Sequence, residues 1–303
     1  MILTPVGTAL RNPITGRELR RRMRGWLPIA VICTSMALLG AIALGFLVRH
    51  AGPPVGQTSA VGVQLFQALA AFQLILILLL TPASTAGAIS GERQRETWDL
   101  LLVTRLSTFG IVWGKLVAAL AFNLVLIVAS LPIFGPAFIL SGVGPDVILH
   151  VYVVYLATVL LLGTGSLLVS ALTRRPAVST IVSTAVALVL AVGLSLLAAS
   201  LDHWGTQQYS LPGPAGPQVL PLPPLNPLAQ LDPLAALASA LPGTSGGSYL
   251  GGLASVHHAF GLPVTMQLWS AYAILATGAS FFILVLTVRV ARYAPGWTRR
   301  GVG

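Results

Sequence analysis

The chain has 303 residues, of which 55% are hydrophobic and only 8% are charged, and its mean hydropathy is +0.88. A soluble domain of this length needs more polar surface, so the composition excludes a purely water-exposed protein and predicts lipid as the main solvent. The net charge of +10 does not indicate a nucleic-acid partner, because the basic residues flank apolar runs, as expected for contacts with the lipid bilayer.

The first predicted element is an amphipathic helix over residues 9–26 on the cytoplasmic surface of the membrane. An Asn-Pro pair marks its start, because asparagine caps helices and proline is tolerated at the first helical position. Leu19, Met23 and Trp26 recur at helical spacing, with arginines in the other directions, as in helices that lie on a bilayer. The alternative is that the arginines only determine topology. The predicted membrane-surface residues are Arg17, Glu18, Leu19, Arg20, Met23 and Arg24.

Six long uncharged stretches each predict a membrane-spanning helix. The first, residues 27–48, measures about 33 Å as a helix, enough for a hydrocarbon core of roughly 30 Å. A cleaved secretory signal is the alternative for this run, but its length exceeds that of a usual signal core and favours an uncleaved span. The other five are residues 61–90, 116–145, 151–173, 177–201 and a last stretch that ends at Val288.

The distribution of Lys and Arg predicts the topology. Sixteen of the 17 basic residues lie before the first span, in the second and fourth gaps or in the tail, and Arg49 lies in the first gap. The positive-inside rule therefore places both termini and the even-numbered gaps in the cytoplasm. The predicted fold class is all-α, a polytopic membrane protein with six transmembrane helices in a single permease domain over residues 1–303.

The second gap concentrates charge and predicts a cytoplasmic coupling loop with a helix over residues 91–108, between spans 2 and 3. Trp98, Leu101 and Leu102 share one helical face bordered by charges of both signs, which suits docking into a partner's groove. The plainer alternative is an interfacial helix that only covers the ends of both spans. The candidate ATPase-coupling residues are Glu92, Arg93, Arg95, Glu96, Thr97, Trp98, Asp99, Leu101, Leu102 and Arg105.

Residues 201–263 are rich in proline and glycine and contain no Lys or Arg, so they predict an extracytoplasmic loop with short helices. Asp232 and Pro233 form a second pair of N-cap and first-position residues. A short interfacial or re-entrant helix is expected there, and a flexible solvated loop is the alternative. The apolar face of this helix is predicted to consist of three leucines, Leu234, Leu237 and Leu241.

Four amide side chains at membrane depth are candidates for a translocation path. They are Gln64, Gln67 and Gln73 in the second span and Asn123 in the third. A buried amide without a partner costs several kcal/mol, so these groups are expected to face other helices or a water-filled path. Hydrogen bonds between helices explain them at least as well as substrate contacts.

The second gap resembles the signature of the type-2 ABC exporter permease family. That family follows span 2 with an ISGER-type turn, a T-x-D/E-L-L-L helix and an S-x-x-x-I-V-x-G-K start of span 3. The matching residues are Ile89, Ser90, Gly91, Glu92, Arg93, Thr97, Asp99, Leu100, Leu101, Leu102, Ser107, Ile111, Val112, Gly114 and Lys115. The family's N-P-x-x-x-x-E-L-R-x-x-x-R opening is matched by Asn12, Pro13, Arg17, Glu18, Leu19, Arg20 and Arg24. Many relatives carry glycine and proline where this chain has Glu96 and Arg105, and losing these turn-forming residues predicts either a longer coupling helix or a helix that leaves the membrane differently.

The resemblance implies a permease subunit in a multi-pass arrangement in a prokaryotic plasma membrane. It pairs with a second permease chain, identical or different, and binds ABC ATPase subunits on the cytoplasmic side that drive export by alternating access. The chain has no G-x-x-x-x-G-K-[ST] loop, so ATP and Mg are expected to be bound by the partner, and the chain itself is expected to be no enzyme.

Two other function classes are weighed against this one. A nucleotide-independent secondary transporter or channel is the main alternative, but the sequence has neither inverted repeats nor a charge in the middle of a span. An intramembrane enzyme is disfavoured, because no histidine base lies inside a span. No metal site is predicted, since Cys33 is the single cysteine and the histidines lack ligand spacing.

Overall fold

The computed structural model describes part of the chain. The described residues are 16, 25–49, 58–97, 107–197, 200, 210–213, 216–219, 231–242 and 268–293. Most of the predicted amphipathic helix and residues 98–106 of the predicted coupling loop therefore lie outside the described residues.

Eight α-helices are present in the described residues. In chain order they are α1 (Trp26–Arg49), α2 (Thr58–Thr85), α3 (Ser90–Gln94), α4 (Thr108–Ser141), α5 (Pro145–Leu172), α6 (Pro176–Leu188), α7 (Pro233–Ala240) and α8 (Leu268–Tyr293). A π-helical segment, Val189–Gly193, continues α6. Within this described part, six helical stretches are long and apolar enough to cross a membrane, which confirms the prediction of six spans.

The third span starts earlier than the apolar run predicts. Ser107 has an extended backbone, and its hydroxyl accepts a hydrogen bond from the amide of Gly110 at 3.1 Å, which caps α4 at Thr108. Lys115 therefore lies inside the helix and not in the preceding gap. Hydropathy alone places the start of the span after Lys115, because it treats a charged residue as lying outside the membrane. A charged residue can nevertheless occupy the end of a span when it has a partner.

A two-stranded hairpin lies between α6 and α7, where the sequence predicted only short helices or a flexible loop. Strands β1 (Ser210–Gly213) and β2 (Gly216–Val219) pair antiparallel. Pro212 stands opposite Pro217 in the register, and neither residue has an amide hydrogen to donate. The sequence did not predict these strands, because proline is usually unfavourable inside a strand.

The chain divides into two compact units. Unit 1 comprises Met1–Gly142, Tyr155–Ala187 and Ala276–Gly303, and unit 2 comprises Val143–Val154 and Leu188–Leu275.

The core of unit 1 is the contact between α2 and α4, with α1 packed on both helices. Phe66 of α2 meets Phe134 of α4 edge to face, with ring centroids 5.7 Å apart. Gly62 of α2 lies against the last turn of α4, where an added Cβ would be only 2.4 Å from the backbone nitrogen of Ser141. Only glycine permits the two helices to approach so closely here.

In unit 2, α7 packs against the π-helical segment. His150, near the start of α5, stacks on Trp269, at the start of α8, with ring centroids 4.1 Å apart. A π-helical turn is rare and is often found at functional positions, so this segment is a notable irregularity in a spanning helix.

Candidate functional site

The predicted coupling segment begins with a short helix that a neighbouring span caps. A turn over residues 86–89 separates α2 from α3. Ile89 has no side-chain acceptor to cap α3, but the hydroxyl of Ser170 on α5 accepts hydrogen bonds from the amides of Ile89 and Ser90, at 3.0 Å and 2.9 Å. A serine 80 residues away from Ser90 in the chain therefore takes the place of an N-cap side chain.

Two further hydrogen bonds attach this segment to α5 and α6. The hydroxyl of Ser179 on α6 donates to the carbonyl of Ala86 at 2.7 Å. The guanidinium of Arg93 donates to the carbonyl of Ala171 in the last turn of α5. A cation at that position satisfies a carbonyl that the helix leaves free and complements the negative end of the helix dipole.

An ion pair joins α3 to α4. The Nζ of Lys115 lies 3.3 Å from Oε1 of Glu92, and the two side chains are 3% and 20% exposed. The hydroxyl of Thr97 donates to Oε2 of the same carboxylate. Because Glu92 precedes and Lys115 follows residues 98–106, the ion pair closes the base of that segment. We call residues 86–93, together with Thr97, Lys115, Ser170, Ala171 and Ser179, the α3 joint.

Helix α3 is followed by a left-handed turn at Glu96, whose φ is 57°. The amide of Thr97 donates to the carbonyl of Glu92, and the amide of Glu96 donates to the carbonyl of Arg93, which together form a Schellman motif. This is the position at which many relatives carry glycine. The expected loss of the turn does not occur, and Glu96 adopts a conformation that costs a residue other than glycine about 1 kcal/mol.

The structure divides the predicted coupling residues into three groups. Glu92, Arg93 and Thr97 are directed towards the protein's own helices, whereas Arg95 and Glu96 are exposed together with Gln94. The remaining coupling residues are outside the described residues, namely Trp98, Asp99, Leu101, Leu102 and Arg105. The six predicted membrane-surface residues, Arg17, Glu18, Leu19, Arg20, Met23 and Arg24, are also outside them.

The four membrane-depth amides have different surroundings. Asn123 accepts a hydrogen bond from the Thr81 hydroxyl at 3.2 Å and donates to the Ser84 hydroxyl at 3.2 Å, which favours the interpretation as a bond between helices. Gln64 is exposed and Gln67 is half-buried. Gln73 is completely buried, and neither the nitrogen nor the oxygen of its amide has a hydrogen-bond partner among the described residues. A translocation path through these residues stays a prediction.

The predicted cap of the short helix in the outer segment is present. Oδ1 of Asp232 accepts a hydrogen bond from the amide of Leu234 at 2.9 Å, and the hydroxyl of Ser195 donates to Oδ2. Asp232 is completely buried, and this burial raises the pKa of its carboxyl above the ordinary value of 3.8, although the hydrogen bonds oppose the rise. The buried side of α7 consists of Pro233, Ala235, Ala236, Leu237 and Ala240.

Only one of the three leucines predicted for the apolar face of α7 is buried. Leu237 is buried, but Leu234 and Leu241 are only half-buried. The small residues Ala236 and Ala240 take their place, because a short helix that packs closely against another helix presents small side chains at the contact.

Sequence reading missed the serines that organise the α3 joint. Ser170 and Ser179 lie in apolar spans, and nothing in their own neighbourhood distinguishes them from other hydroxyls in the chain. Their partners are backbone groups far away in sequence, so only the packing of α5 and α6 identifies them.

Comparison with known proteins gives one match to a family. The profile of the ABC-2 type transporter matches residues 13–195, which is more than half of the chain and includes α1 to α6. No curated protein matches the sequence.

Proposed function

Because the chain belongs to the ABC-2 type transporter family, we propose that it is the permease subunit of an ATP-driven exporter whose ATPase is a separate polypeptide. Family membership and the six candidate spans make the chain a multi-pass membrane component of an ABC transporter. The ATPase partner, the outward direction of transport and alternating access between two permease chains are parts of the proposal.

The α3 joint is the observation that supports this proposal most strongly. It contains the ISGER-type turn, Thr97 and Lys115 of the motif that carries the family resemblance, and its hydrogen bonds and ion pair connect it to α4, α5 and α6. A loop attached to three spans is suited to pass movement from a bound motor to the membrane helices. The exposed side chains of Arg95 and Glu96 lead directly from the joint into residues 98–106.

The proposal includes the division of labour between subunits. The chain lacks a phosphate-binding loop, so the ATPase subunit would bind ATP and Mg, and the permease would supply the path through the bilayer. Both termini and residues 91–108 would face the cytoplasm of a prokaryote, and a second copy of this chain or a different permease would complete the path.

Co-purification with an ABC ATPase expressed from the same operon is the expected result that tests the proposal. We expect Trp98→Glu and Leu101→Glu to abolish ATPase binding, because a charge on the docking face cannot enter an apolar groove. Val103→Glu is the matched control, since in the helix predicted from the sequence residue 103 would lie roughly 140° around the axis from residue 98. Undiminished ATPase binding by both docking variants contradicts the docking role.

Transport in membrane vesicles tests the mechanism. ATP on the side of the membrane that residues 91–108 face should drive transport of the substrate to the opposite side. Depletion of ATP should stop this transport. Transport that continues after deletion of the ATPase gene would instead support the nucleotide-independent transporter or channel.

A further inference from the structure

We infer that Glu92 and Lys115 are positioning residues that transmit movement of the ATPase to the spans, whereas contact with the ATPase begins at the exposed residues from Gln94 onwards. This inference deepens the proposed function and depends on it. It separates residues that the sequence grouped as one docking surface.

Both oxygens of the Glu92 carboxylate are bound by side chains of the protein itself. Lys115 binds one oxygen at 3.3 Å, and the hydroxyl of Thr97 donates to the other. The Lys115 ammonium is almost completely buried, and Glu92 is its ion-pair partner. A carboxylate held on both oxygens by its own chain is poorly suited to recognise a partner, but it is well suited to hold α3 against α4.

The opposite side of α3 is attached to α5. Arg93 donates to the carbonyl of Ala171, and Ser170 accepts from the first amides of α3. A displacement of α3 must therefore carry α4 and α5 with it or break charge-assisted and buried hydrogen bonds, which are among the strongest in proteins. The α3 joint thus behaves as a stiff connection between the loop and two spans.

The exposed side chains form a separate surface. Gln94, Arg95 and Glu96 are exposed and follow directly after the engaged residues. The left-handed turn at Glu96 follows α3 and lies within this exposed group, and Thr97 after it is again in contact with Glu92. Exposure and side-chain contacts therefore divide the segment: Glu92, Arg93 and Thr97 form the transmitting part, and Gln94, Arg95 and Glu96 form the contacting part.

The test measures ATPase affinity and ATPase turnover separately, with the permease in lipid nanodiscs and the purified ATPase. For Glu92→Gln and Lys115→Met we expect the Kd of the ATPase to stay within about threefold and the turnover of ATP in the saturated complex to fall about tenfold. For Arg95→Glu and Glu96→Arg we expect the Kd to rise about tenfold.

Two additional variants separate a positioning role from a merely structural one. Lys115→Arg keeps the charge and should restore turnover, and the exchanged pair Glu92→Lys with Lys115→Glu should recover part of it. If the joint variants weaken ATPase binding as much as the surface variants do, or if the exchange restores nothing while both proteins remain folded, the inference is wrong. If the unchanged permease binds no ATPase, the proposed function itself fails, and the inference fails with it.

Discussion

The α3 joint and the cap of α7 both depend on a serine from a spanning helix, but the acidic residues at the two sites have different partners. In each case a serine of a spanning helix completes the start of a short helix, Ser170 for α3 and Ser195 for α7. The partly buried Glu92 of the joint has a cationic partner, whereas Asp232 has no ion pair within the described part of the chain. The cap of α7 is therefore expected to respond to pH.

Removal of the cation should have the largest effect on stability. Lys115→Met removes the cationic partner of the partly buried Glu92 carboxylate, which keeps its hydrogen bond from Thr97, so we expect a loss of about 3 kcal/mol in the free energy of unfolding of unit 1. Denaturant unfolding in detergent micelles measures it. The double variant Lys115→Met with Glu92→Gln is the control and should recover much of the loss, and equal instability of the double variant would show that the charge is not the cause.

The two serines should differ in importance. Ser170→Ala leaves the buried amides of Ile89 and Ser90 without an acceptor, at a cost of about 2 kcal/mol. Ser195→Ala removes one donor from Asp232, which keeps its bond to Leu234, and should cost about 1 kcal/mol. Thermal unfolding compares them, with the exposed Ser200→Ala as a control that should change nothing. The reverse order would contradict the comparison.

The stability of the α7 cap should depend on pH. Burial raises the pKa of Asp232 in the folded protein, so the folded state binds a proton more tightly than the unfolded state does. The stabilisation from this group is therefore complete below the ordinary pKa of 3.8 and is lost as the pH rises through the raised folded value. Hydrogen exchange of the amides of Leu234 and Ala236 measures it.

Variants at two aspartates identify the group responsible. Asp232→Asn keeps an acceptor for the amide of Leu234 and should abolish the pH dependence of exchange in α7. The exposed Asp146→Asn should leave that dependence in place. An unchanged pH dependence in Asp232→Asn would mean that another group titrates.

The smallest expected effect concerns the end of α3. Glu96→Gly relieves the left-handed conformation and should stabilise unit 1 by about 1 kcal/mol. Arg95→Gly, one residue earlier at negative φ, is the control and should give no gain. Thermal unfolding of both variants decides, and a loss of stability in Glu96→Gly would indicate that its side chain makes a contact the turn requires.

Local chemistry explains which predictions were confirmed. The six spans follow from uncharged runs, because every backbone group in lipid must be bonded within its own helix. The cap of α7 follows from the adjacent residues Asp232 and Pro233, which need no distant partner. The hairpin between α6 and α7 was missed, since facing prolines weaken the signal of a strand.

The sequence by itself determined a six-span membrane chain and its family, because hydropathy and short motifs are local properties of neighbouring residues. Only the tertiary structure decided that Glu92 and Arg93 are directed inwards while Arg95 and Glu96 are exposed. The physical reason is that their partners, Lys115 and Ala171, come within reach only when α4 and α5 pack beside α3. The spacing of residues along the chain does not reveal contacts between residues that are distant in sequence.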